Sequence, residues 1–235
     1  MLSLAFVLGL ASFAAAAPSL VARQSVSALS AAQVTAFKPY SFYASSAYCS
    51  PASTLAWNCG PNCAANPTFI TVASGGDGAA VQFWYVGYDS KLATVIVGHQ
   101  GTDPDEILPI VTDVNFGLKG LDSTLFPGVS SSVQAHSGFL DSHARAAPRV
   151  LAAVRTAISR FSATKVTLVG HSLGGALALL DALYLSRQLT GVTLRTVTYG
   201  MPRVGNQAFA DLLSAGNTIT HINNKDDLIP ILPGT

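Results

Sequence analysis

The sequence predicts a single α/β domain in which a mostly parallel sheet is flanked by helices. From about residue 140 onward, short β-branched runs alternate with segments whose apolar residues recur at helical spacing, a pattern typical of βαβ units. The length of 235 residues suits one domain. The sequence contains no internal repeat and no linker-like stretch that would divide the chain in two.

The composition excludes several classes of function. Charged residues make up 11% of the chain and the formal net charge is +1, so charge gives no reason to expect a nucleic-acid partner. No group of His, Cys and Asp residues has the spacing of metal ligands, and we expect neither a metal nor another cofactor.

The first 17 residues are predicted to be a secretory signal peptide. They are apolar or small and end in Ala15-Ala16-Ala17, the pattern that precedes cleavage. The alternative, a membrane anchor, requires about 20 strongly apolar residues, and this stretch is shorter and diluted by Ala and Ser. We therefore expect an extracellular protein without an integral membrane segment. Its domain covers residues 24–235, with room for a short pro-segment ending at Arg23.

The N-terminal half is predicted to contain a helix and three strands. Ser30 and Gln33 form a capping box, which predicts a helix running toward Tyr48 and disturbed at Pro39. The segment 50–67 is rich in Ser, Pro, Asn and Gly and is interpreted as a loop. Apolar, β-branched runs predict strands at 69–74, 79–89 and 93–99, the first two joined by a tight turn at 75–78.

The C-terminal half is predicted to alternate helices and strands. Val150, Val154 and Ile158 recur at helical spacing within a long helix at 138–161. The same reasoning predicts helices at 175–189 and 205–216, and strands at 165–170, 194–200 and 217–223.

The three cysteines are expected to be oxidised where they can pair, since the chain is predicted to be secreted. Cys59 and Cys63 enclose the turn-forming triplet Gly-Pro-Asn, which predicts a local disulfide. Cys49 is then left over.

The stretch Gly-His-Ser-Leu-Gly at 170–174 fits the G-x-S-x-G motif and stands between a predicted strand and a predicted helix. On such a turn the serine hydroxyl is exposed to substrate, and the small residues two before and two after it let the strand and helix backbones approach. The backbone N–H after the serine, that of Leu173, can stabilise an oxyanion at the helix N-terminus. The alternative is a glycine-rich turn that performs no chemistry.

Several further stretches can be compared with known families together with the serine motif. They are VGHSLGGALA, VTYGMPRVGN (197–206), ITHINNKDDLIPILP (219–233), GHQGTDP (98–104), VNFGL (114–118) and HSGFLDS (136–142). Together these stretches resemble the class 3 lipases, a secreted family of filamentous fungi. The family is a variant of the α/β-hydrolase fold that cleaves carboxylic esters, mainly acylglycerols, and feruloyl esterases are its close relatives.

The resemblance implies roles for particular residues. Ser172 corresponds to the nucleophile, and Asp227, at the start of Asp-Leu-Ile-Pro-Ile-Leu-Pro, corresponds to the triad acid. Asp226 is the weaker candidate, and a solvated turn carboxylate is the alternative for Asp227. The oxyanion hole would combine the N–H groups of Leu173 and Thr102, although His and Gln stand here where the family has an aromatic residue and Arg.

The resemblance also implies a lid at 103–114. Apolar side chains flanked by acidic ones could cover the site in water and open at a lipid surface. The alternative is an ordinary surface loop, in which Pro109 would interrupt a helix. The predicted lid residues are Ile107, Leu108, Ile110 and Val111.

A base for Ser172 is not evident among the five histidines. In α/β-hydrolases the His follows the acid, and none follows Asp227 here. We interpret His99 as a hydrogen-bonded residue at a strand end and do not expect His171, adjacent to the serine, to be the base. Since the family also pairs an early cysteine with a late one, the lone Cys49 agrees with the expectation that this chain is a C-terminally truncated lipase with little activity alone.

The resemblance therefore implies a serine hydrolase, most simply a triacylglycerol lipase that acts on acylglycerols at a lipid–water interface. Three alternatives are kept open. The first is a feruloyl or short-chain carboxylesterase, the second a catalytically inactive secreted fragment that lacks the triad His, and the third a secreted binding protein that retains only the fold.

Overall fold

A computed structural model describes residues 27–102 and 117–233 of the chain. The predicted signal peptide and the predicted lid residues lie outside these described residues. None of the helices in this part of the chain combines the length and the apolar character needed to span a membrane.

In the described part of the chain, six strands form the main sheet, in the spatial order β1-β2-β3-β6-β7-β8. The pairs β1–β2 and β2–β3 are antiparallel, whereas β3–β6, β6–β7 and β7–β8 are parallel, so the predicted parallel sheet carries an antiparallel extension at one side. A separate pair is formed by β4 and β5. The strands are β1 Phe69–Gly75, β2 Trp84–Asp89, β3 Thr94–His99, β4 Leu118–Gly120, β5 Gln134–His136, β6 Lys165–His171, β7 Thr193–Tyr199 and β8 Thr218–Ile222.

The helices cover both faces of this sheet. They are α1 Ala31–Thr35, α2 Lys38–Ser46, α3 Pro51–Leu55, α4 Pro61–Ala64, α5 Ser137–Phe161, α6 Leu173–Gln188 and α7 Gln207–Ser214, with a 3-10 turn at Ile229–Ile231. The capping box at Ser30 is present as predicted. All six helices and strands predicted after residue 137 are confirmed with small differences at their ends.

Burial on both faces explains the composition of the central strands. In β3, Val95 and Val97 pack into one hydrophobic cluster together with α5 and α6, and Ile96 packs into a second cluster with α2. Each of the three is fully buried. A strand covered on two sides needs a continuous apolar run, and this is what the sequence shows at 93–99.

The predicted loop at 50–67 is wrong in part, because it contains α3 and α4. Each helix has a proline in its first turn, where the missing N–H costs nothing, and Ser50 caps α3 by accepting from the N–H of Ser53. The Ser and Pro residues that were interpreted as loop formers therefore begin short helices.

The predicted tight turn between β1 and β2 is also wrong, since the connection runs from 76 to 83. The Asp77 carboxylate accepts hydrogen bonds from the N–H groups of Ala79 and Val81, each at 2.9 Å, and organises this longer loop.

The disulfide between Cys59 and Cys63 is formed as predicted. Among the described residues Cys49 is a free thiol, and burial raises the pKa of that thiol.

Candidate active site

Ser172 occupies a strained turn between β6 and α6. Its φ of 56° and ψ of −128° lie outside the ordinary regions for a residue with a side chain. Its N–H donates to the carbonyl oxygen of Tyr199 at 2.9 Å, which fixes the turn to the end of β7. Strain of this kind costs about 1 to 3 kcal/mol and is concentrated at functional sites.

The glycines of the motif are required by close backbone approach. A methyl group at Gly170 would lie 2.1 Å from the carbonyl oxygen of Gly174. A methyl group at Gly174 would lie 2.3 Å from the carbonyl oxygen of His99. The second contact joins the first turn of α6 to the end of β3, from which the predicted oxyanion loop continues.

Two buried hydroxyl groups at this turn have no hydrogen-bond partner among the described residues. They belong to Ser172, which is 3% exposed, and to Thr102, which is 7% exposed. An unpaired buried hydroxyl costs about 1 to 3 kcal/mol, so a functional explanation is needed for each.

The loop that carries Thr102 packs directly against the serine turn. A methyl group at Gly101 would lie 2.2 Å from the hydroxyl oxygen of Tyr48 and 2.5 Å from the carbonyl oxygen of His171. A side chain at this position is therefore excluded, and the backbone of the loop lies beside the turn. The structure brings the predicted oxyanion residues Thr102 and Leu173 to the same end of the sheet.

Asp227 lies at this end too, in the segment that follows β8. A methyl group at Gly200 would lie 2.7 Å from Oδ2 of Asp227 and 3.5 Å from Nε2 of His171, so the carboxylate and this imidazole are close neighbours. The other oxygen, Oδ1, accepts from the N–H of Ile229 at 3.0 Å. Asp226, the weaker candidate for the acid, is exposed.

His171 is engaged by Tyr48 instead of by the serine. Its Nδ1 lies 2.7 Å from the hydroxyl oxygen of Tyr48. Burial lowers the pKa of His171, and the Asp227 carboxylate raises it in part. The hydroxyl of Ser172 makes no hydrogen bond to this ring.

The four other histidines are engaged elsewhere. His136 stacks on Phe139, and His221 on β8 has its Nδ1 3.3 Å from Oγ1 of Thr198. His99 hydrogen-bonds to Asp181, which confirms its interpretation as a bonded residue at a strand end, and His143 bonds to the same carboxylate. All five histidines are therefore described, and none hydrogen-bonds to Ser172.

The contacts of Asp181 were not predicted from the sequence. One signal was available, because this acidic residue interrupts the apolar run ALALLDALYL, and a charge inside a buried helix requires a partner. The identity of the partners was not readable, since they come from distant segments.

Comparison with known proteins identifies the family. A sequence profile of the family described as "Lipase (class 3)" matches residues 96–235. The chain belongs to the class 3 lipase family. The predicted family is thereby confirmed.

Two curated relatives are secreted mono- and diacylglycerol lipases. The one from Fusarium solani is 29% identical over 242 residues, which cover 97% of this chain and 69% of the relative. One from Malassezia restricta is 32% identical over 163 residues, which cover 68% of this chain and 54% of the relative. The chain thus spans little more than half the length of the second relative.

Solved structures confirm the α/β-hydrolase fold of this class 3 lipase chain. A triacylglycerol lipase whose catalytic centre is a serine protease triad superposes with a TM-score of 0.75 at 26% identity, covering 88% of this chain and 76% of that one. Lipase II from Rhizopus niveus superposes with the same score at 27% identity, covering 88% and 77%.

Proposed function

We propose that this protein is a secreted serine lipase that cleaves acylglycerol esters through an acyl-enzyme on Ser172. The observation that carries the proposal is the buried hydroxyl of Ser172, which has no hydrogen-bond partner among the described residues and lies on a strained strand-to-helix turn in a chain of the class 3 lipase family. The relatives named as secreted mono- and diacylglycerol lipases favour acylglycerols as substrates and an extracellular location.

In this proposal the hydroxyl oxygen of Ser172 attacks the ester carbonyl carbon while a general base takes the hydroxyl proton. The N–H groups of Leu173 and Thr102 stabilise the oxyanion, and the protonated base returns the proton to the alcohol as the ester C–O bond breaks. Water then hydrolyses the acyl-enzyme and regenerates the serine. The N–H of Leu173 lies in the first turn of α6, where no intrahelical acceptor competes for it.

Asp227 has the role of the acid that orients an imidazole in this proposal. Its Oδ1 is fixed by the N–H of Ile229, and its Oδ2 faces the region of Gly200 and His171. Because no histidine of the chain hydrogen-bonds to Ser172, we expect these 235 residues to turn over esters slowly by themselves. Loss of the base of a serine triad lowers kcat by about 10⁶-fold, with ~10³- to 10⁴-fold over water remaining.

Chemical rescue tests the proposal under these conditions. Imidazole added to the purified protein should accelerate hydrolysis of a p-nitrophenyl butyrate solution and of an emulsified diacylglycerol, because it can serve as a diffusible base. Ser172→Ala should abolish this rescue. The matched control is Ser186→Ala on the same helix, whose hydroxyl is exposed and donates to the Leu183 carbonyl oxygen, and it should behave as the unaltered protein.

Three outcomes decide between the candidates. Equal rates in Ser172→Ala and the unaltered protein, or no ester hydrolysis at any imidazole concentration, would sink the proposal. Faster turnover of methyl ferulate than of the acylglycerol would favour a feruloyl esterase. The lid at 103–114 is part of the proposal, and it predicts that the rate rises when the substrate forms an emulsion.

A further inference from the structure

A second group of titratable side chains lies beneath the candidate site. The Asp181 carboxylate, on the middle of α6, is fully buried between two histidines. Its Oδ2 lies 2.6 Å from Nε2 of His99, and its Oδ1 lies 2.8 Å from Nε2 of His143. The proposed mechanism uses none of these three residues.

The charge of Asp181 is maintained by its two neighbours. Burial alone raises the pKa of this carboxyl, but the two imidazoles outweigh it and hold the pKa at about 2. Both Nε2 atoms carry a proton, because each donates to an ionised oxygen. A buried carboxylate is expensive unless both of its oxygens are paired, and here both are.

The imidazole of His143 is packed firmly against aromatic side chains. The rings of Phe126 and Tyr184 each have a centroid 5.6 Å from its own. Within the described residues, no set of three or more His, Cys, Asp or Glu side chains is arranged to hold a metal ion. The distances from Asp181 are those of hydrogen bonds.

The histidine at the end of β3 connects this cluster to the oxyanion loop. His99 is the last residue of the strand, and Gln100, Gly101 and Thr102 follow it. Its carbonyl oxygen lies against Gly174 in the first turn of α6, while its side chain reaches Asp181. Because Asp181 lies seven residues after Gly174, or roughly 10 Å along the helix, His99 is fixed to α6 at two separated points.

Gln100, the next residue of the loop, is held by hydrogen bonds to Phe83. The N–H of Gln100 donates to the carbonyl oxygen of Phe83 at 2.8 Å, and its Oε1 accepts from the N–H of Phe83 at 2.8 Å. His99 is thus bonded to α6 and Gln100 is bonded to Phe83. Gly101 and Thr102 form a short segment that continues from this fixed strand end. The bond between the His99 side chain and Asp181 joins this end of β3 to α6.

We propose that Asp181 is a positioning residue for the oxyanion hole. Through His99 it sets the place of the Thr102 N–H relative to that of Leu173, and through His143 it ties the same carboxylate to α5. The inference rests on the proposed function of Ser172. Preorganised donors stabilise an oxyanion only when they lie about 2.7 to 3.1 Å from it, and a displacement of about 1 Å can cost 10²-fold in rate.

The test compares Asp181→Asn with the matched control Asp211→Asn. Asparagine keeps the shape of the side chain but removes the charge and can no longer accept from both imidazoles. Asp211 lies exposed on α7, where it accepts from Gln207, away from the oxyanion loop. Both variants are examined in the full chain by thermal unfolding, by NMR of the backbone amides and imidazole N–H groups, and by hydrolysis of p-nitrophenyl butyrate with added imidazole.

We expect two imidazole N–H protons protected from exchange in the unaltered protein and in Asp211→Asn. In Asp181→Asn one or both should be lost, and the amide signals of Thr102 and Leu173 should shift. The rescued kcat should fall about 10- to 100-fold with KM changed less than twofold, because only the interaction with the transition state is weakened. Loss of folded protein would also lower the apparent kcat at an unchanged KM, so kcat is expressed per active site as counted by phosphonate titration. A fall in kcat per active site then indicates positioning.

Several outcomes would overturn the inference. One is rapid exchange with solvent of both imidazole N–H protons in the unaltered protein. Another is a folded Asp181→Asn variant in which the Thr102 amide signal and kcat are the same as in the unaltered protein. If the unaltered protein shows the protected imidazoles but never hydrolyses an ester, the proposed function of Ser172 fails and the inference fails with it. That result is distinguishable, because the NMR signature is then intact.

Discussion

At the scale of single residues, close backbone approach determines the site more than side-chain chemistry does. Ser172 is held at a positive φ because its N–H is bonded to the end of β7 and because α6 begins at the next residue. The motif could be predicted from the sequence, because small residues at two fixed positions express this steric requirement directly. The lack of a histidine bonded to the serine could be suspected from the order of residues, but only the structure shows where each of the five described histidines is engaged.

The contact of Gly174 with His99 gives a prediction at this scale. Gly174→Ala should lower the free energy of unfolding by about 1 to 3 kcal/mol, because the new methyl group would lie 2.3 Å from a carbonyl oxygen that belongs to the backbone. Urea unfolding measures the change. The control is Gly216→Ala, where a methyl group meets nothing within 4 Å, and its stability should change by less than about 0.5 kcal/mol. Equal effects of the two substitutions would contradict this account of the turn.

At the scale of elements, long periodic segments were predictable and short ones were not. Hydrophobic periodicity predicts the longer elements, because the apolar pattern continues over several turns of a helix or several residues of a strand. These elements are α5, α6 and β6 to β8. The strands β4 and β5 have three residues each and show no period that a sequence could express. The helices α3 and α4 are similarly short, and their Pro and Ser residues also favour loops.

The Asp181 cluster is a property of three elements, β3, α5 and α6, and its partners are 82 and 38 residues away along the chain. The apolar run around Asp181 indicated that a partner must exist. Nothing in the local sequence specifies which histidines provide it, because their proximity is set by how the helices pack on the sheet.

The cluster predicts a dependence of stability on acid. The pKa of Asp181 in the folded protein, about 2, lies below the value of about 3.9 for an unfolded Asp. Its ionised form therefore contributes stability that is fully present above about pH 4 and is lost as the pH falls through about 2. The groups that face the carboxylate are His99, His143 and Tyr184.

Urea unfolding at a series of pH values measures this contribution. Between about pH 4 and pH 2 the unaltered protein should lose more stability than Asp181→Asn, by about 2 kcal/mol for a shift of this size. Asp211→Asn should follow the unaltered protein. If the free energy of unfolding falls equally with pH in the unaltered protein and in Asp181→Asn, the ionised form of Asp181 does not stabilise the fold and the prediction is wrong.

At the scale of the whole molecule, the sheet topology brings the residues of the candidate site together. The strands β3, β6, β7 and β8 are parallel, so the segments that follow them emerge at one edge of the sheet. Thr102 follows β3, Ser172 follows β6, Gly200 follows β7 and Asp227 comes after β8. In open α/β sheets ligands bind outside the carboxyl ends of the strands, which agrees with this arrangement.

The central claim is that Ser172 is a nucleophile, and phosphonate labelling tests it most directly. A fluorophosphonate bonds covalently to an activated serine and loses fluoride. We expect one adduct on the peptide that contains Ser172, formed faster when imidazole is added, absent in Ser172→Ala and retained in Ser186→Ala. An unlabelled protein, or an adduct that persists in Ser172→Ala, would contradict the claim.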